Sequence, residues 1–287
     1  MRTFQLSTLL PFLALIVFPV SAQQQSSATV ATTSDPQALA LVQQSLTALS
    51  ASGALPSDVT LAGNATWIAG SDNEVGTATL SAMLPAFSKM SLILPSGTRS
   101  EIRNPVGSPP PGAPSGVSVP VGAWSGPDNV LHSMASHNVI TDATWFFPAF
   151  TLRRLISSSN YVLSYFGQSV HNGRPLLHVS ATQSFLLNVS GQIPVQAPTS
   201  IQHLSQTDIY LDPATMLPVA VDFDIHPDND AMVDIPIEIR FSAYTAMNGT
   251  QIPFRIQRYV NNALALDIQI VTATLNSGLS SIGFQVQ

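Results

Sequence analysis

From Thr207 to Leu275, apolar and polar side chains alternate almost without a break. Leu217, Val219, Val221, Phe223 and Ile225 share one parity, with Ala220, Asp222 and Asp224 on the other. Ile235, Ile237, Ile239, Phe241 and Ala243 repeat the pattern against Glu238, Arg240, Ser242 and Tyr244. Ile252, Phe254 and Ile256 oppose Arg255 and Gln257, and Leu264, Leu266, Ile268 and Ile270 oppose Asp267 and Gln269. Successive side chains of a strand point to opposite faces. A period of two over this length therefore predicts consecutive strands of a large antiparallel sheet with one apolar face. Something must cover that face, either helices of the chain itself or a ligand, and which of the two it is decides the function.

The rest of the chain supplies more of the same sheet and some cover for it. Asp35 before Pro36 is a helix start, because a carboxylate can cap the free amides and proline at the first position forfeits no hydrogen bond. Leu39, Val42, Leu46 and Leu49 then form one apolar stripe, and Gly53 supplies a stop. Strands follow over Val59–Ala69, Val75–Leu84, Phe87–Leu94 and Thr98–Arg103, a meander of neighbours. The segment from Asn104 to Pro120, with Pro109-Pro110-Pro111 at its centre, cannot enter a central strand and reads as a surface loop. Asn129–His137 and Asp142–Ser157 read as helices, the second bent at Pro148. Tyr161–Val170 and Pro175–Thr182 form a hairpin about Asn172-Gly173, the type I′ turn pair. Phe185–Ser200 is open between strand and loop. The total is about eleven strands and three helices, in one domain over 35–287.

The N-terminus changes the compartment. Arg2 precedes the apolar stretch Leu9–Val20, and Val20-Ser21-Ala22 has the small residues of a signal-peptide cleavage site. Residues 1–22 are therefore expected to be removed on export, to the periplasm or outside the cell, and 23–34 to form a flexible leader. The apolar stretch is too short and too interrupted by proline to span a bilayer, so no transmembrane span is expected in the mature protein. The chain has no cysteine, which excludes disulfides and a lipid-bearing N-terminal cysteine. Charged residues are 9% of the chain, against roughly 25% in ordinary soluble domains, and the net charge is −6. Nucleic acid is excluded as a partner, because phosphate binding needs clustered Lys and Arg.

Tyr210-Leu211-Asp212-Pro213-Ala214-Thr215-Met216-Leu217-Pro218-Val219 resembles a hairpin of the outer-membrane lipoprotein carrier (LolA-like) superfamily. Asn248-Gly249-Thr250-Gln251-Ile252-Pro253-Phe254-Arg255 resembles the next hairpin of that family, and the helix and strands up to Arg103 resemble its N-terminal half. The resemblance runs from Asp35 to Phe284 and implies a mainly β (α+β) fold. That fold is an unclosed antiparallel barrel of about eleven strands with two or three helices on its concave face, in proteins that carry acyl chains or other lipids between membranes. It also implies an arginine in the first strands that holds a lid, and Val59–Leu84 contains none.

The candidate ligand-binding residues are apolar. Trp145, Phe146, Phe147 and Phe150 are the densest aromatic patch and can line an acyl cavity, cover it as a lid, or plug the core. Trp67, Met83, Met90, Leu92 and Leu94 form a second set, in which flexible methionine suits ligands without a fixed shape. The run Asp222, Asp224, His226, Asp228, Asp230 and Asp234 lacks the glycine and terminal glutamate of a calcium loop and reads as a solvated hairpin tip. His132 and His137 are not spaced as a helical zinc pair, and no nucleophile elbow or phosphate-binding glycine loop is present. No catalytic residue, metal ligand or cofactor is assigned. The expected function is binding of an apolar small molecule or acyl chain, as carrier or sensor. The alternative is an envelope module with a self-filled core that engages a protein partner.

Overall fold

A computed structural model describes residues 33–50, 54–107, 119–141, 144–184, 186–187, 195–196 and 199–286. The signal segment, nearly all of the leader, Gly53 and the triple proline lie outside these residues. Among them no helix is long and apolar enough to cross a membrane. In chain order the elements begin with α1 (Pro36–Leu49), β1 (Asp58–Ala69), β2 (Asp72–Met83), β3 (Phe87–Leu94), β4 (Gly97–Gly107), β5 (Val119–Ser125) and β6 (Leu131–Ser133). Next come α2 (Ser136–Val139), α3 (Pro148–Ser157), β7 (Tyr161–His171), β8 (Arg174–Gln183), β9 (Leu186–Leu187), β10 (Val195–Gln196) and α4 (Thr199–Ser205). The alternating run supplies β11 (Thr207–Leu211), β12 (Pro218–Ile225), β13 (Ile235–Met247), β14 (Thr250–Val260) and β15 (Ala263–Leu275), followed by a 3-10 turn at Ser281–Phe284.

Thirteen of these strands form one antiparallel sheet in the order β6-β5-β4-β3-β2-β1-β15-β14-β13-β12-β11-β8-β7, and β9 and β10 pair separately. The sheet is a mainly β structure not closed into a barrel, with β6 and β7 as its edges. Laid flat, thirteen strands at about 4.8 Å spacing would be roughly 58 Å wide. Yet residues from β1, β2, β3, β7, β8 and β11 to β15 share one buried cluster with α1 and α3. The sheet therefore curls, and its apolar side is the inner one. β1 pairs with both β2 and β15 and so joins the two meanders. At Gly63 a Cβ atom would lie 2.0 Å from the Gln269 carbonyl oxygen, so the β1–β15 approach needs glycine there.

Several expectations hold in place and differ in detail. Asp35 caps α1 by accepting from the Gln37 amide at 2.7 Å, with Pro36 in the first turn. The Asn129–His137 helix is instead β6 followed by α2, and the second helix starts only at Pro148. Proline pushes its predecessor out of the helical region, and Phe147 is non-helical (φ −131°, ψ 86°), so α3 begins where a bend was expected. The proline-rich segment is shorter than the pattern suggests, because β4 runs on to Gly107 and β5 begins at Val119. The pairing is irregular between Asn104 and Gly107, which accommodates Pro105 without a ladder hydrogen bond. Strands β5 and β6 raise the main sheet from eleven strands to thirteen, and the short pair β9 and β10 lies in the segment left open between strand and loop.

Within the alternating run, Ala243 takes a left-handed backbone (φ 53°) and drops out of the β13–β14 pairing between Ser242 and Tyr244. The exposures expected of this pair are exchanged: Ala243 is exposed, while Tyr244 packs against the core and donates its hydroxyl to the Pro218 carbonyl at 2.9 Å.

Candidate ligand-binding site

The inner wall is built by strand alternation. Register aligns Leu61 with Leu80, Leu80 with Met90 and Ala78 with Leu92, so Met90, Leu92 and Leu94 of β3 face inward with Trp67 of β1 at the far end of the same row. Onto this wall packs the turn before α3. Trp145, Phe146, Phe147 and Phe150 are at most 2% exposed. Their rings meet edge to face, with Trp145–Phe146 centroids at 5.4 Å and Phe147–Phe150 at 4.8 Å, an arrangement that suits the ring quadrupoles. Eight of the nine expected residues thus meet in or against one cluster. Met83 does not: it is out of phase with Leu80 and Ala82 and pairs with Phe87, whose ring contacts Phe284.

Charged residues join this apolar wall. Arg99, Glu101 and Arg103 alternate along β4 in phase with Leu92, Met90 and Ser88. Glu101 receives the Arg103 Nε–H at 3.0 Å and lies 3.8 Å from Arg258 of β14. Burial would raise the Glu101 pKa, but the two guanidinium charges and hydrogen bonds from Arg103 and Trp145 outweigh it and hold the carboxyl below its ordinary range. Arg258 also lies over the Trp145 ring at 5.4 Å, and Arg99 over Trp67 at 4.9 Å. Arg103, only 4% exposed, donates through Nη1 to the Asn138 carbonyl at 2.8 Å and to Thr141 Oγ1 at 2.9 Å. Arg103 of β4 thus holds the short helix α2, while Val59–Leu84 contains no arginine. Asn138 is tied on its other side, accepting from the His226 amide at 2.9 Å and donating to the His226 carbonyl at 2.7 Å. Helix α2 is thus strapped between β4 and the end of β12.

Two cavities border this assembly. One of about 420 Å³ is lined by Pro85, Ala86, Arg103, Val139, Ile140 and Tyr161, among others, between β4–β5 and β7–β8. The second, of about 220 Å³, is lined by Trp67, Met90, Arg99, Glu101, Trp124 and Arg258. Only Trp67 and Met90 of the expected set line either cavity. Arg103, Glu101, Arg258 and Tyr161 were not singled out from sequence. The period-two row Arg99-Glu101-Arg103, in phase with inward apolar residues across the ladder, was the available signal.

The outer face carries a different cluster. Phe166, His178, Tyr210 and His171 stack in series, with centroid spacings of 5.0, 4.7 and 3.8 Å. The β7–β8 hairpin tip covers Glu238, which accepts from Arg240 at 2.7 and 2.8 Å, contacts His171 at 2.9 Å and accepts from Asn172. Glu238 is consequently buried, where alternation alone placed it in water. Burial would raise it, but these bonds outweigh that and hold it low. Asp208 is likewise held low against burial by bonds from His178, Gln206 and Ser180. Asp222 has the opposite fate. Burial, then the charges of Glu238 and Asp208, push it up to about 8.

No family model matches the chain, and no curated protein matches it in sequence. Solved structures do match in fold. One is a domain from Vibrio parahaemolyticus described as an outer membrane lipoprotein-sorting protein, at 10% identity and a TM-score of 0.51, covering 86% of this chain and 96% of that one. Another is a LolA superfamily protein from Nitrosomonas europaea, at 8% identity and a TM-score of 0.50, covering 87% and 97%. The chain shares its fold with these proteins, at 8–10% sequence identity.

Proposed function

We propose that this is an exported, non-enzymatic protein that binds a lipid or other apolar molecule on the concave side of its half-barrel, as carrier or sensor. The observation that carries this reading is the Trp145–Phe150 segment, an aromatic plug that shares one buried cluster with the Met90-Leu92-Leu94 wall, in a fold that also holds a cavity of about 420 Å³ lined by Arg103, Val139, Ile140, Arg154 and Tyr161. That volume lies within the roughly 300–1,000 Å³ of ligand pockets. An acyl chain entering from this cavity would exchange apolar contacts with the plug for apolar contacts with itself. The area removed from water, at about 25 cal/mol per Å², then changes little when the plug moves. The proposed contacts are Trp67, Met90, Leu92, Leu94, Trp145, Phe146, Phe147 and Phe150, with Arg103 and Arg154 at the rim of the cavity to meet a polar or acidic head. Fold likeness to a lipoprotein-sorting domain adds support at the level of architecture.

The test is lipid extraction and mass spectrometry of the purified mature protein, with a fluorescent fatty-acid titration. Co-purifying lipid and saturable binding are expected, and neither appearing would end this reading. A second reading has its own observation, the near-complete burial of the four aromatics, which suits a self-filled envelope module with a protein partner. Trp145→Ala separates the two. A packed core aromatic costs about 3–5 kcal/mol when truncated, with no binding to lose. A movable plug gives a smaller loss and impaired fatty-acid binding.

A further inference from the structure

The sequence places His226 and Asp234 in an acidic run that reads as solvated. The fold gives them different surroundings. The His226 side chain is 0% exposed, at the end of β12. Asp234 stands just before β13, 42% exposed, and α4 brings His203 to the same point. His203 Nε2 lies 3.0 Å from Asp234 Oδ1 and His226 Nε2 lies 3.1 Å from the same oxygen. The three atoms all fall within 4.8 Å of one another.

Two imidazole nitrogens converge on one carboxylate oxygen within ion-pair distance, and only one of them is hydrogen-bonded to it. His226 Nε2 forms the hydrogen bond. His203 Nε2 is buried from water and has no hydrogen-bond partner among the described residues, and His226 Nδ1 has none either. Buried polar atoms without partners are uncommon and call for a ligand or water to explain them.

We infer that His203, His226 and Asp234 form a binding site for a divalent transition cation of the zinc type. Imidazole nitrogen and carboxylate oxygen are the ligands such borderline cations prefer, and three protein ligands leave a position for water. Bonds of about 2.1 Å spread tetrahedral ligands to about 3.4 Å. From 3.0 and 3.1 Å, the carboxylate oxygen of the exposed Asp234 therefore has to withdraw by a few tenths of an ångström, and the two imidazole nitrogens, within 4.8 Å of each other, have to settle at the same spacing. Calcium and magnesium do not fit, because they take oxygen ligands in larger number. The other set of ligating groups, His171, Asp222 and Glu238, is a poorer site, because Glu238 is already engaged by Arg240, His171 and Asn172. The backbone of His226 is also the group that grips Asn138 of α2, so an ion here stiffens the anchor of that strap.

The test is isothermal titration of the full mature chain, stripped with EDTA, with zinc(II). A cobalt(II) absorption spectrum serves as an independent reading of nitrogen and oxygen ligation. One zinc per chain is expected. Losing a direct ligand in His203→Gln or Asp234→Asn should weaken binding at least by the roughly 10–100-fold that follows loss of an outer-shell partner. Circular dichroism checks that both variants fold, and both positions are exposed enough to accept the change. His171→Gln should bind as the wild type does. No uptake of zinc, uptake undiminished in both ligand variants, or loss only in His171→Gln would overturn the assignment. None of these results depends on whether the concave side binds lipid.

Discussion

The inner and outer faces of the curled sheet each hold a half-buried ionic cluster, and the two behave in opposite ways. On the inner face one carboxylate, Glu101, lies among guanidinium groups, with Arg103 at 3.0 Å and Arg258 at 3.8 Å. On the outer face Asp208, Asp222 and Glu238 crowd together, and Arg240 is bound to only one of them, Glu238. Burial disfavours the charged form at both places. Inside, the surplus of cations and donors overcomes it, so Glu101 stays ionised. Outside, Glu238 and Asp208 take the available hydrogen bonds, and Asp222 receives their repulsion, which pushes it up to about 8. The ratio of counter-charges to carboxylates, rather than burial alone, sets the protonation state.

The largest effect expected from breaking this contrast is on the inner face. Arg103→Ala removes the nearer of the two guanidinium groups at buried Glu101 and leaves the Asn138 carbonyl without its guanidinium donor. Breaking a buried pair from one side costs about 3–5 kcal/mol, which urea denaturation should show as a lowered midpoint. Next comes Asp222→Asn, with the opposite sign. Because the folded pKa of Asp222 is above its unfolded value near 3.8, the folded state holds a proton there that the unfolded state loses. Its contribution to stability is thus fully present below about pH 4 and declines as pH rises to about 8. Asp222→Asn should remove that decline and stabilise the protein at pH 8 by something on the order of 2 kcal/mol, less than the full shift corresponds to because solvent screens this side chain, which is 30% exposed, read from thermal melts across the range. The smallest effect is on the exposed pair of Arg255 and Asp267, 2.7 Å apart. Arg255→Ala should cost about 1 kcal/mol or less, and 0.5 M salt should erase most of the difference.

Particular residues mark how far the sequence could be read. The strands between Thr207 and Leu275 were legible because alternation is a local property, and the Asn172-Gly173 turn because its backbone needs residues that tolerate positive φ, at 49° and 74°. The aromatic patch was legible as apolar and clustered. What could not be read was its relation to Glu101 and Arg258, which lie far apart in the chain and meet the Trp145 turn only after the sheet curls. Met83 was misplaced because proximity in composition to Met90 says nothing of phase along β2. The burial of Glu238 depends on a hairpin tip more than sixty residues away in sequence.

By itself the sequence determined a large one-sided antiparallel sheet, its turns and its capped first helix, because each depends on neighbours within a few residues. The tertiary structure alone decided that the sheet curls around α1 and α3. It decided that the aromatic segment sits inside, that α2 is strapped between Arg103 and His226, and that His203 reaches Asp234. Those outcomes rest on pairings across dozens to hundreds of residues, whose loop-closure cost and packing reward no local pattern records.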